Sequence, residues 1–514
     1  MKFSHIGIAA AAWLAGSSLA SCSQSLPSGV CDGVPGVCLD LYVSYPSGTA
    51  PGYDLEVTAI YDGKSSKRLT SKPEKVSLPN HFRVVPPPGV ASAEVTAIAI
   101  RASSGGELLA MAKVPSPFLA GTEHLASSVA LRKYSSDIFD TKFADYIACK
   151  GPRSTRIVDL DRDSHNDIVV TCFNEQSVAV LYGTAQGQFT RIQPNLARIG
   201  MSAYFSAIMD VDRNGTLDIV TPSYETAPSI TNGLSVLTSA PGRGWLLPKS
   251  VASSEMRLLD AVAADFNGDG MMELIVNTNE VAPVPPPTPP SASKLLIFPN
   301  SFLADPGNTP FKIDFQTVSG AYSLTAGFLD NDLNEDIVIA GYSSNNIAVT
   351  WGGNIQTKLG FDIYTPVPAI IQPLTPLIAD VTGDKQNDII VTQCGSPSVL
   401  IYKNLGNRQF QEFKRFDTGR GSCSAVADDF DRDGKVDLAV WNNIDFTISV
   451  LRGTGNGEFQ PVQTISNLYK TSYGHLSSGD LDNDGMPDII LSGSASTDPS
   501  AVGETVRVHY NQVP

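Results

Sequence analysis

One unit, an acidic turn leading into an apolar strand, recurs seven times along this chain, at intervals near 50 residues. The turns begin at positions 159, 210, 265, 328, 380, 429 and 480. The first copy reads RIVDLDRDSHNDIVVTCFNEQSVAVLYGTAQGQF from Arg156; the sixth reads DDFDRDGKVDLAVWNNIDFTISVLRGTGNGEF from Asp428. In each, two further strand-like runs follow the acidic turn, and a Gly-rich turn leads to a fourth. Four strands with their connections need about 40–50 residues, the period of a propeller blade. The one long interval, from 265 to 328, holds the Pro-rich stretch VAPVPPPTPP at 281–290, read as a stiff excursion from a blade loop. Seven such blades close into a ring and leave no long sheet edge exposed. The expectation is an all-β chain with a seven-bladed β-propeller over residues 138–514. The chain stops soon after a third-strand run at 505–510. The segment 138–146 is therefore expected to supply the missing outer strand of the last blade.

The turns carry the pattern D-x-D-x-D-G-x-x-D or a variant. The candidate metal ligands are Asp159, Asp161, Asp163 and Asp167 in the first copy, and Asp210, Asp212, Asn214 and Asp218 in the second. The third has Asp265, Asn267, Asp269 and Glu273, and the fifth Asp380, Thr382, Asp384 and Asp388. The sixth has Asp429, Asp431, Asp433 and Asp437, and the seventh Asp480, Asp482, Asp484 and Asp488. Calcium takes six to eight oxygens in flexible geometry, and alternate residues of a tight turn can aim such oxygens at one centre. Gly215, Gly270, Gly434 and Gly485 fill the sixth place, where a left-handed backbone reverses the chain. Ser164 and Lys385 stand in that place in copies one and five. Copy four opens on Phe328, followed by Asp330, Asp332 and Asp336, and so lacks a ligand. About five to six calcium sites are expected, weaker in copy five and weakest in copy four. An EF-hand would need Glu at position twelve; here that place holds strand residues such as Val170, Val440 and Leu491.

The turn followed by an apolar strand resembles the FG-GAP and VCBS repeats of the integrin α-subunit head, of a fungal sugar-binding lectin and of many bacterial surface proteins. The resemblance runs from about 138 to the C-terminus, without the literal Phe-Gly and Gly-Ala-Pro of the name. It implies that each loop joins the first two strands of a blade on the lower face. It also implies that ligands meet the opposite face or the grooves between blades.

Upstream of the repeats, residues 1–21 read as a signal peptide. Lys2 precedes an apolar run over 6–15, and small residues lead to Leu19-Ala20-Ser21-Cys22. This end resembles the bacterial lipobox, which implies lipid on Cys22, a tether over 22–35 and export to a membrane. Ser23 implies the outer membrane. Residues 36–132 then alternate with period two, as in Val37, Leu39, Leu41 and Val43, or Leu55, Val57, Ala59 and Tyr61. That spacing predicts a small β-sandwich, immunoglobulin-like in architecture, serving as a spacer or as a ligand-binding module. With Cys22 lipidated, six cysteines remain, an even number suited to disulfides in an exported protein: Cys31, Cys38, Cys149, Cys172, Cys394 and Cys423. Cys31–Cys38 would close a short loop. Cys172 and Cys394 follow second strands, and Cys149 and Cys423 precede first strands. Chain ends of that kind share one face of a propeller, so Cys149–Cys172 and Cys394–Cys423 are the expected pairs.

The net charge of −16 argues against nucleic acid as partner. No G-x-S-x-G elbow, phosphate-binding loop or paired histidine spacing is present, and the spacing of the acid pairs is accounted for by metal. The expected role is non-catalytic: a calcium-binding lipoprotein that holds a glycan or a protein ligand, with the membrane engaged through the N-terminal lipid. The alternatives are a propeller scaffold for an enzyme acting on polysaccharide or phosphoester, and an accessory subunit of an envelope complex.

Overall fold

The computed structural model describes strands between residues 38 and 133, residues 138–139, and most of 143–511. Left outside are the connections at 185–186, 193–203, 224–232, 241–242, 253–256, 280–292, 301, 303–310, 315–317, 354–362, 365–369, 467–473 and 494–503. Cys22, the Cys31–Cys38 pairing and the Pro-rich stretch all lie outside the described residues. The chain divides into two compact units, Met1–Arg132 and Lys133–Pro514.

In the first unit, Cys38–Ser44 pairs antiparallel with Asn80–Val84 and parallel with His124–Ala130. Leu39, Leu41 and Val43 are buried, as their alternation requires. A second sheet is built around Ala50–Tyr61, which pairs with Val95–Ser104; that strand in turn pairs with Glu107–Pro115.

The second unit is a seven-bladed all-β propeller, each blade a four-stranded antiparallel sheet. Blade one runs Pro152–Val158, Asp167–Cys172, Ser177–Tyr182 and Thr190–Ile192 from the axis outward. Blades two to six begin with Ala207–Met209, Leu258–Ala264, Ala321–Gly327, Pro373–Ala379 and Ser422–Asp428. Second strands such as Asp167–Cys172, Glu273–Thr278 and Asp437–Asn442 are buried along their whole length. This explains why they read as continuous apolar runs and not as alternating ones. Their side chains pack on both neighbouring blades. Ile389, Val391 and Leu400 of blade five join Val338, Val349 and Trp351 of blade four, while Ile390, Val399 and Ile401 join Leu438 and Val440 of blade six.

The ring closes without a covalent link. Blade seven consists of His475–Gly479, Asp488–Ser492 and Thr505–His509, with Ala144–Ile147 as its outer strand. Ala144 stands opposite Val508 and Ile147 opposite Thr505, and Phe139 forms a further bridge to Asn511. Blades seven and one also meet near the axis, where the Thr155 and Ser477 hydroxyls lie 2.7 Å apart.

Two disulfides sit at the end of the ring where first strands begin. Cys149–Cys172 lies within blade one, with Cα atoms 5.8 Å apart; Cys394–Cys423 joins blades five and six at 4.3 Å. Cys423 is the second residue of its strand, Ser422–Asp428, and not the residue before it.

Candidate metal centres

Each acidic loop leaves the far end of a first strand and re-enters the sheet at its ninth residue. The first aspartate organises the turn. In loop one the amides of Asp163 and Ser164 both donate to Asp159, at 3.0 Å each. The same contacts join Asn214 and Gly215 to Asp210, Asp269 and Gly270 to Asp265, Asp384 and Lys385 to Asp380, and Asp433 and Gly434 to Asp429. In loop seven Gly485 donates to Asp480 at 2.7 Å. These bonds fold the turn back onto its first aspartate.

The turn needs a left-handed backbone at two places. Position six has φ between 69° and 87° in six loops, including the non-glycine residues Ser164 and Lys385. Position four is left-handed as well, at Arg162, Arg213, Gly268, Gly383, Arg432 and Asn483. The repeat pattern does not specify the second place, although two glycines and an asparagine mark it. Loop four has neither, and it is the loop without the first aspartate.

The ninth residue has a second role. Asp167, Asp218, Glu273, Asp336, Asp388, Asp437 and Asp488 are all buried. One oxygen of each accepts the amide of position two, as Leu160 to Asp167 at 2.9 Å and Leu481 to Asp488 at 2.8 Å. In six blades the other oxygen accepts an amide at the end of the third strand: Gly183 to Asp167 at 2.8 Å, Gly352 to Asp336 at 2.9 Å, Gly453 to Asp437 at 2.7 Å. The carboxylate therefore ties the loop to the third strand whether or not a metal is bound. Burial pushes these acids up, to about 6 for Asp167, about 7 for Glu273, Asp336 and Asp437, and about 9 for Asp488; the charges of the neighbouring loop acids add to it.

Among the described residues, four loops bring three carboxylates to within 4.8 Å of one another. The sets are Asp159, Asp161 and Asp167; Asp210, Asp212 and Asp218; Asp429, Asp431 and Asp437; and Asp480, Asp482 and Asp484. Such oxygen-only sets, crowded and partly buried, fit a hard divalent cation. Loops three, four and five form no such set. In loop three Asn267 Nδ2 donates to Glu273 at 3.0 Å, so those two candidate ligands engage each other. In loop five Lys403 pairs with Asp384 at 3.1 Å.

Basic side chains also reach into the loops, which the sequence pattern did not reveal. Arg243 of blade two pairs with Asp161 and Asp163 and lies over the Tyr182 ring at 4.6 Å. Arg408 of blade five makes the corresponding contacts one loop type apart: 2.8 Å to Asp330, 3.5 Å to Asp332, and 4.8 Å to the Trp351 ring. In loop four a guanidinium thus supplies the positive charge. Arg452 pairs with Asp431 at 2.6 Å and Lys435 with Asp433 at 2.9 Å.

A family model described as FG-GAP-like repeat matches residues 159–221, 380–440 and 429–491. The chain carries FG-GAP-like repeats. Each matched FG-GAP-like segment starts at the first position of one loop and ends in the second strand of the next blade, so the matches take in loops one, two, five, six and seven. The four loops with gathered carboxylates are all among them. A search of curated proteins finds no match. Solved structures with a similar course include an Agrocybe aegerita lectin described as recognising non-reducing terminal N-acetylglucosamine. It is 15% identical, over 62% of this chain and 81% of the lectin, with a TM-score of 0.41. The V. cholerae biofilm matrix protein Bap1 is 13% identical over 74% and 92%, with a TM-score of 0.42. BBS1N, solved in complex with ARL6DN, is 11% identical over 72% and 97%, with a TM-score of 0.46.

Proposed function

We propose that this chain is an exported, calcium-binding lipoprotein, anchored through Cys22 to the outer membrane, whose ring holds a glycan or protein ligand without catalysis. The observation that carries the reading is the gathering of three carboxylates in each of four loops of a closed propeller. Acids held that close repel one another unless a cation joins them. Calcium then acts as structural glue, and the remaining ring surface is free to bind. Residues 36–132, as an immunoglobulin-like module, space the ring from the membrane. Calorimetric titration of the chelated protein should show several calcium ions taken up, with magnesium a poor substitute because it demands a stricter octahedron. A glycan array read with and without calcium should show calcium-dependent capture. Cys22→Ser should move the protein into the soluble fraction. Absence of calcium uptake, or a Cys22→Ser protein that stays with the membrane, would defeat the corresponding part.

A further inference from the structure

Loop two differs at one ligand place from the other three loops that gather carboxylates. Position five holds Asp163, Asp433 and Asp484 in loops one, six and seven, but Asn214 in loop two. Glycine follows that asparagine. An Asn-Gly pair is chemically weak: the peptide nitrogen after the asparagine can attack its side-chain amide carbon, and glycine has no Cβ to block the approach. Four such pairs occur in the chain, at 214–215, 232–233, 267–268 and 456–457, and Asn232 lies outside the described residues.

The three described pairs stand in different surroundings. Gly457 is buried, its amide donates to the Val381 carbonyl at 2.8 Å, and a Cβ there would collide with the Phe413 ring. A Cβ on Gly268 would collide with Asn334, and the Asn267 Nδ2 that would have to leave is held by Glu273 at 3.0 Å. Asn214 and Gly215 are both exposed, and nothing lies within 4 Å of a Cβ built on Gly215. The polar contacts of this pair also suit the reaction. The Gly215 amide donates to Asp210 Oδ2 at 2.8 Å, so an acceptor for its proton is in place. An amide N–H points along the peptide plane, so that bond leaves the face of the nitrogen open. Asn214 Oδ1 accepts from the Thr216 amide at 2.7 Å and from the Thr216 hydroxyl. The Ser239 hydroxyl donates to Thr216 Oγ1 at 2.6 Å, which turns the Thr216 proton toward Asn214. Two donors on that oxygen polarise the amide carbon and stabilise the oxyanion of an addition intermediate.

We infer that Asn214 is a self-modifying site, which converts to aspartate and gives loop two the acid that loops one, six and seven already carry. The Gly215 nitrogen bonds to Asn214 Cγ and the Cγ–Nδ2 bond breaks. The amide leaves as ammonia, with the proton that Gly215 passes through Asp210. Water then opens the five-membered ring: its hydroxyl stays on Cγ, one proton restores the Gly215 amide, and the new acid gives its own proton to ammonia. The net change is side-chain amide plus water to carboxylate plus ammonium. Opening at Cγ restores the backbone, and with it the bonds of 3.0 and 2.8 Å from the amides of positions 214 and 215 to Asp210. Opening at the main-chain carbonyl would insert a methylene into the turn ahead of the buried Asp218. The modification stands on these contacts alone, whereas its effect on metal affinity rests on the calcium reading above.

The test keeps freshly purified full-length protein in chelator and heavy-oxygen water, then maps its peptides by mass spectrometry, with the Asn214→Asp variant as the product reference. The expected result is one heavy oxygen at position 214, in a peptide that elutes with the reference, while Asn267 and Asn456 remain amides. Gly215→Ala should slow the conversion. Because the φ of 87° at that place strains any other residue, Thr216→Val gives a second reading: loss of one donor should slow the conversion at an unchanged melting temperature. In calorimetry, Asn214→Asp should bind calcium at loop two roughly tenfold more tightly than the fresh protein. An amide that persists at 214, equal conversion of all three pairs, isoaspartate as the sole product, or a rate untouched by Thr216→Val overturns the assignment. Equal calcium affinity of the two forms overturns the gain of a ligand. If Asn214 converts while no loop takes up calcium, the modification stands and the calcium reading falls.

Discussion

The hydroxyls of Tyr146 and Tyr510 lie 2.8 Å apart although 364 positions of sequence separate them. Both also reach the carbonyl of Gly187 in blade one, at 3.3 and 3.0 Å. On the same strand pair Arg507 grips Asp145 with two bonds of 2.7 Å. The seam of the ring is thus fastened by side chains as well as by its strand ladder.

Removing residues 138–147 should open that seam. The edge of Thr505–His509 would then be unpaired, and such an edge recruits other chains. The expected outcome is a lower melting temperature and oligomers in size-exclusion chromatography. The gentler pair Tyr146→Phe and Tyr510→Phe should show coupling of about 1 kcal/mol in a double-mutant cycle.

Calcium removal should be costly. Extracellular calcium modules bind with Kd on the order of 0.1–1 mM, and at tenfold excess each site contributes about 1.4 kcal/mol. Chelation should lower the melting temperature by several degrees, and calcium should restore it. Asp212→Ala should remove one ion from the calorimetric stoichiometry, and Asp332→Ala none. A melting curve indifferent to chelator would contradict the linkage.

The two arginines should respond in opposite ways. Arg243 competes with metal for Asp161 and Asp163, so Arg243→Gln should tighten calcium binding at loop one. Arg408 stands in loop four, where no three acids converge, so Arg408→Gln should cost about 1 kcal/mol of stability with or without calcium. Denaturant titrations of both variants, in calcium and in chelator, separate the two cases.

Loop position nine should behave as a structural residue. Asp336→Ala strips the Leu329 and Gly352 amides of their acceptor, a loss of roughly 2–4 kcal/mol, and should do so equally in chelator. Were the loss seen only in calcium, the clamp would be an incidental contact.

The pH dependence follows from the same acids. Their folded values are raised above the ordinary carboxyl value near 4, to about 6 for Asp167, about 7 for Asp437 and about 9 for Asp488. Their contribution to stability is full below about pH 4 and is lost as pH rises through those folded values. Metal-free protein should therefore melt at lower temperature at pH 8 than at pH 5, and excess calcium should remove that slope. Scanning calorimetry across the range, with and without metal, checks both halves.

Most of the ring was legible because its signal repeats. One acidic turn says little, whereas seven at one period dictate blade count, strand order and the place of the seam. The loops were legible only in part. Asp167 and Asp159 look alike in sequence, yet one is a buried clamp and the other a half-buried organiser, because only the former faces the end of the third strand. Arg243 and Arg408 escaped notice because each acts on a loop of the preceding blade, some 80 positions away.

The pairing of Ala144–Ile147 with Thr505–His509 also sets a timetable for biosynthesis. At about 5–20 residues per second, the earlier strand waits roughly 20–70 s for its partner to be made. Blades one to six can pair their own neighbouring strands as they emerge, but the circle has no seventh member until then. The nascent molecule is an open arc with two unsatisfied ends, and its last step is a contact of very high sequence separation, the slowest kind for a chain to find. Holding that arc apart from its copies is thus a demand the architecture places on whatever cell makes it.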